Sequence, residues 1–257
     1  MKRRIRFLWR VLVGIMALLF AAGVIMLRRG SDISQAIRSG KLGYTCALGW
    51  VNWGHAIPDG PADFLRELRE KNAKCLPGGT FKISLPQSMS GRYGPVRVTG
   101  KISHCWEVEG GLSDEVRQRL AWMMFAEISS AFEKMQASFP NSIDKASSQS
   151  AFREGDLAGN RLAFLAAEWN LDESAIKFLA GACSPSESLA LLPENPVASG
   201  VHWGGLKLRQ HRSGGLSSRL LREFPPPLPD PALMAKYVRR AGAEKLPFHF
   251  EWIGFRK

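Results

Sequence analysis

The chain has 257 residues, 45% of them hydrophobic, enough apolar material for a packed core and too much for a disordered polyelectrolyte. Its net charge of +12 comes from 35 Lys/Arg against 23 Asp/Glu, and it is unevenly spread. Residues 1–29 hold seven basic and no acidic side chains, residues 201–257 hold eleven against four, and residues 30–200 are left near −2, which argues against a nucleic-acid-binding domain.

Val11 to Leu27 is a run of seventeen uncharged residues, bracketed by Lys2, Arg3, Arg4, Arg6 and Arg10 before and by Arg28 and Arg29 after. As a helix it would be ~25 Å long, and Phe7, Leu8 and Trp9 extend it toward bilayer thickness. A cleavable signal peptide is the rival reading. The apolar run passes straight into Arg28-Arg29 with no small-x-small site just after it, which favours an uncleaved anchor. The charge bias predicts a single span in the cytoplasmic (inner) membrane, with the N-terminus inside and the rest on the periplasmic or extracellular side. Residues 1–29 are thus read as a cytoplasmic stub with its transmembrane signal anchor, 30–43 as a juxtamembrane linker, and 44–257 as one exported domain. The basic C-terminal part could touch anionic lipid or cell-wall polymer.

The exported part reads as α+β: a small, mostly antiparallel sheet packed by a long central helix. A short charged helix runs from Asp63 to Lys74, opened by Pro58-Asp59-Gly60-Pro61. Phe81, Ile83 and Leu85 alternate with polar residues as in a strand. After a Gly/Ser-rich turn, Val96, Val98, Ile102, His104, Trp106 and Val108 share one face of a longer strand, with Gly100 marking a bulge. The two strands are expected to form a hairpin. Ser113 then caps a helix reaching about Phe139, with Asp114 and Glu115 in its first turn and a stripe of Val116, Leu120, Met124, Ile128, Phe132, Met135 and Phe139. Further helices are expected at Arg153–Trp169 and at Glu173–Cys183, the latter capped by Asp172. A Pro-rich connector at 225–231 precedes a last strand, Leu246–Phe255, with Phe248, Phe250 and Trp252 on one face.

Two patches carry chemistry. The first, Tyr44 to His55, is aromatic and Gly-punctuated and holds a thiol, Cys46, and an imidazole, His55. The second contains Asp156 and Asn160, four apart and so on one helix face, which continues with the small residues Ala163 and Ala167. Together the patches resemble a family of exported bacterial proteins, many of them lipid-anchored, which has no assigned activity. Its segment of Tyr-Thr-Cys, Gly, an aromatic, an aliphatic, Asp and His is matched by Tyr44, Thr45, Cys46, Gly49, Trp50, Val51 and His55. Its later Glu-Asp-Leu-x-Ser-Asn run is matched by Asp156, Leu157 and Asn160. Asn52, Gly155 and Gly159 stand where the family has Asp, Glu and Ser. The resemblance implies a shared site but no reaction.

Three uses of these residues compete. In a cysteine-type envelope hydrolase acting on wall peptide or lipid, Cys46 would sit at a helix start, where the dipole activates a thiol, with His104 or His55 as base. In a metal enzyme, His55 and Asp59, or Asp156 with His202 and His211, would converge, but no H-E-x-x-H motif supports this and no cofactor or metal is expected. In a binding or scaffolding module, the favoured reading, His55, Asp156 and Asn160 are buried hydrogen-bonding groups. The candidate site is therefore Cys46, His55, Asp156 and Asn160, expected to line one pocket with His104 near its wall. Of the four cysteines, Cys75 and Cys105 are expected to pair.

Overall fold

The computed structural model describes residues 33–46, 48–56, 59–93, 95–137, 154–194, 196–197 and 230–253. The expected anchor, the Pro-rich connector up to Pro229, and His202 and His211 lie outside these residues. Among the described residues no helix is long and apolar enough to cross a membrane.

The architecture is α+β. A hairpin of β1 (Leu42–Thr45) and β2 (Gly49–Asn52) follows the short helix α1 (Ile33–Arg38). Helix α2 (Asp59–Lys74) leads to β3 (Thr80–Tyr93) and β4 (Val96–Glu109). Then come α3 (Asp114–Ala137), α4 (Glu154–Trp169), α5 (Glu173–Ala180), α6 (Pro185–Leu191), α7 (Pro231–Tyr237) and the last strand β5 (Val238–Trp252). The main sheet is antiparallel in the order β3-β4-β5.

Local chemistry explains most of these elements. Along β4 the alternation expected from the sequence holds: Val98, Ile102, His104, Trp106 and Val108 are buried and their neighbours more exposed. The register between β4 and β5 slips between Thr99 and Lys101, the bulge that Gly100 signals. Asp172 caps α5 by accepting from the Ala175 amide at 2.7 Å, and Gly181 closes that helix in the left-handed conformation, φ 64°. Ser184 and Glu187 form a reciprocal capping box at the start of α6.

Helix α3 is the central core element. Leu120 to Ala126 are all buried, so the helix is covered on every side there. Trp106, Trp122, Phe125 and Phe164 fill the main core around it, each burying roughly 150–250 Å². A smaller core joins Ile37, Leu42, Tyr44 and Trp50 to Leu189 and Leu191, and so clamps α1 and the hairpin to α6.

Two sequence expectations need correction here. Residues 33–45, assigned mostly to a linker, hold α1 and β1, because Ile37, Leu42 and Tyr44 have an apolar surface to cover. The last strand starts at Val238, eight residues before the apolar run that signals it, since pairing to β4 is made by backbone groups and tolerates Arg239 and Arg240 on an outer strand. The strand completes the sheet, yet Phe250 and Trp252 are 52% and 70% exposed.

Candidate functional site

Glycines bring the two chemical patches together. A Cβ built at Gly159 would collide with the Asn52 carbonyl oxygen and come within 2.8 Å of His55 Cβ. At Gly155 it would lie 3.1 Å from Leu42 Cδ1 and 3.2 Å from the Asn52 amide nitrogen. With Gly155, Gly159 and Ala163 at four-residue spacing, one face of α4 lets the end of β2 approach backbone to backbone.

Asn52 then organises the turn after β2. Its Oδ1 accepts from the Gly54 amide at 3.0 Å, and its carbonyl accepts from the His55 amide at 3.0 Å. Its Nδ2 donates to Asp156 Oδ1 at 2.8 Å, locking the turn to α4. His55 Nε2 is thereby held 3.8 Å from the same carboxylate oxygen, with the imidazole about a quarter exposed and Asp156 buried. A third donor comes from α3: the Glu133 carboxylate is fully buried, and ligand atoms of His55, Glu133 and Asp156 lie within 4.8 Å of one another. Among the described residues these three form the group able to hold a metal.

His55 and Asn160 also line a cavity of about 260 Å³. Its polar wall includes Gln87 and Ser88 from β3, and its apolar wall includes Phe125 and Phe132 from α3. Gln87 Nε2 donates to the buried Ser129 hydroxyl at 3.4 Å.

Of the residues expected in one pocket, His55 and Asn160 line the cavity, Asp156 is buried against His55 without lining it, and Cys46 does not join them. Cys46 lies at the turn of the hairpin rather than at a helix start. Its amide donates to the Gly181 carbonyl at 3.0 Å, and the turn is held by Thr45 Oγ1, which donates to the Gly49 carbonyl and accepts from the Leu48 amide. His55 follows Asn52, at the opposite end of the same hairpin. The strand from Gly49 to Asn52 alone spans ~10 Å, beyond general-base reach of ~3 Å. Cys46 faces a different cavity, shared with Cys183 and Glu187.

His104 belongs to another network. It is buried on β4, 3.4 Å from Glu127 Oε1, with its ring edge-on to Trp106. The Arg240 guanidinium approaches both ring nitrogens, at 2.9 and 2.6 Å, and Trp106 Nε1 donates to Glu127 Oε2 at 3.2 Å. The hydrogen bond from His104, helped by Trp106 and Arg240 against the cost of burial, holds the Glu127 carboxyl below its ordinary value.

The expected Cys75–Cys105 pair is also corrected. Cys75 packs against Gly110, where a Cβ would overlap its sulfur, while Cys105 lies five residues back along an extended strand, ~16 Å away.

Sequence reasoning missed Asn52 and Glu133. Asn52 enters the sequence reading only as a departure from a family pattern, and the Asx-turn logic of Asn-x-Gly is the signal that points to its structural role. Glu133 is in phase with Trp122, Ala126 and Ser129 on a buried flank of α3, and a carboxylate on such a face is the signal that could have found it. Neither protein-family models, curated proteins nor solved structures give a match to this chain.

Proposed function

We propose that the protein is a membrane-anchored cell-envelope domain that binds a small polar ligand and acts as a binding or scaffolding module. One observation carries this reading: His55, Asn160 and the β3 residues Gln87 and Ser88 line one cavity whose other wall is aromatic. That lining suits a molecule the size of one sugar or amino-acid residue, with a polar and an apolar side. The separation of Cys46 from His55 weighs against the cysteine hydrolase. The membrane placement rests on the charge bias around residues 11–27.

Two measurements test it. A reporter fused after Lys257 is expected to be active only outside the cytoplasm, and cytoplasmic activity would refute the placement. A thermal-shift screen of the purified protein against disaccharides, amino sugars and short peptides is expected to give a ligand whose effect is lost in Gln87→Ala and Asn160→Ala. Turnover of any of these fragments that disappears in Cys46→Ala would overturn the binding reading in favour of the thiol hydrolase.

A further inference from the structure

We propose that His55, Glu133 and Asp156 form a binding site for one divalent transition-metal ion, of the zinc class. The inference deepens the binding reading by naming what stands beside the cavity. It is tested on metal alone, so that its failure and a failure to find the organic ligand remain separate results.

The donors come from three elements that are distant in sequence: the turn after β2, the C-terminal half of α3 and the first turns of α4. Their ligand atoms lie within 4.8 Å of one another. Zinc bonds of ~2.0–2.2 Å imply donor separations of about 3.5 Å in a tetrahedral site, so small side-chain adjustments close the geometry. One imidazole and two carboxylates form a donor set of borderline and hard character that suits zinc or manganese, and zinc is the tighter binder of the two for a given site.

Burial supplies the electrostatic argument. Glu133 and Asp156 are 0% and 3% exposed, and two ionised carboxylates this close together repel in a medium of low dielectric. A divalent cation between them relieves that repulsion, as would a proton shared by the pair. Arg161, five residues further along α4, is a competing source of positive charge. Burial pushes its guanidinium down to about 10, so it remains protonated at neutral pH.

Two further features resemble a prepared site. Asn52 Nδ2 holds the Asp156 carboxylate in orientation, the service outer partners give to metal-ligating carboxylates. His55 is shared between the triad and the cavity, so it links the buried carboxylates to the space from which an ion would enter. Three protein donors leave a fourth position for water or for a ligand oxygen, the arrangement of an open rather than a closed zinc site.

The experiment is calorimetric titration of the purified full-length chain in detergent, stripped of metal with chelator, using Zn²⁺. One equivalent should bind, and His55→Ala and Asp156→Asn should each weaken it by at least ~100-fold. Cys46→Ala should bind zinc as the parent protein does, which separates this site from the thiol-lined cavity at the other end of the hairpin. His55→Ala removes a partly exposed side chain, and circular dichroism verifies that it stays folded. Absence of binding in the parent protein would overturn the proposal and assign charge compensation to Arg161 or to a shared proton. Binding that survives His55→Ala, or that is lost in Cys46→Ala, would overturn it equally.

Discussion

The protein sets two histidines beside carboxylates and treats them differently. His104 is closed in: Glu127, Arg240 and Trp106 surround it in a network that ties β4 to α3 and β5. His55 is held from behind by Asn52 and Asp156 and keeps one side toward a cavity. Both stand near a carboxylate, and residue type alone does not distinguish them. The difference lies in whether the partners use up the ring's surroundings, and it separates a group that holds the fold from one positioned to meet a ligand.

Substitution of the two histidines should break the symmetry most clearly. His104→Ala leaves a cavity beside Trp106 and separates Glu127 from its main partner, so unfolding in denaturant should show a loss of about 3 kcal/mol. His55→Ala should cost no more than about 1 kcal/mol, since its contact with Asp156 is long and partly solvated. Equal losses in the two variants would erase the distinction.

Gly159→Ala tests how the second region is built. Alanine favours a helix interior by about 1 kcal/mol over glycine, but its Cβ meets the Asn52 carbonyl, and overpacking costs about 1–3 kcal/mol. A net loss of up to about 2 kcal/mol is expected in a denaturant melt, together with weaker zinc binding as the His55 turn is pushed off α4. A more stable variant would show that the close approach is not needed.

The smallest effect belongs to acid. Because Glu127 is held below its ordinary 4.5 in the folded protein, the unfolded chain binds more protons around that pH. Its contribution is complete above the ordinary carboxylate value and is lost as pH falls through the lower folded value. Stability measured from pH 6 to pH 3 should therefore fall less steeply in Glu127→Gln than in the parent protein. Identical acid limbs would remove Glu127 from the network's energetics.

Much of the scaffold was legible because it rests on periodicity. The alternation of β4, the bulge at Gly100, the Ser113-to-Ala137 helix and the Asp172 cap each follow from local residue patterns. The Asp156–Asn160 face was legible for the same reason. The hairpin was not: Cys46 to His55 admits a helical reading, and only the pairing of Tyr44 with Trp50 and Leu42 with Asn52 sends the thiol and the imidazole to opposite ends. Glu133 was overlooked because the apolar stripe of its helix runs along Met124, Ile128 and Met135, while Glu133 lies on the adjoining flank with Trp122, Ala126 and Ser129. The helices α6 and α7 are one or two turns long, too short for a hydrophobic period to register.

The close approach at Gly155 and Gly159 bears on positional accuracy. When two elements meet through long side chains, every rotatable bond between them adds a tolerance, and the errors accumulate. Here the end of β2 rests on the helix backbone itself, and the chain from Gly159 to the Asn52 carbonyl contains no side-chain torsion at all. The offset of the imidazole from the carboxylate is then set mainly by main-chain geometry and by the few torsions of His55 and Asp156. Repacking the core at a distance should leave that offset nearly unchanged, whereas a single methyl group at the seam shifts the whole turn.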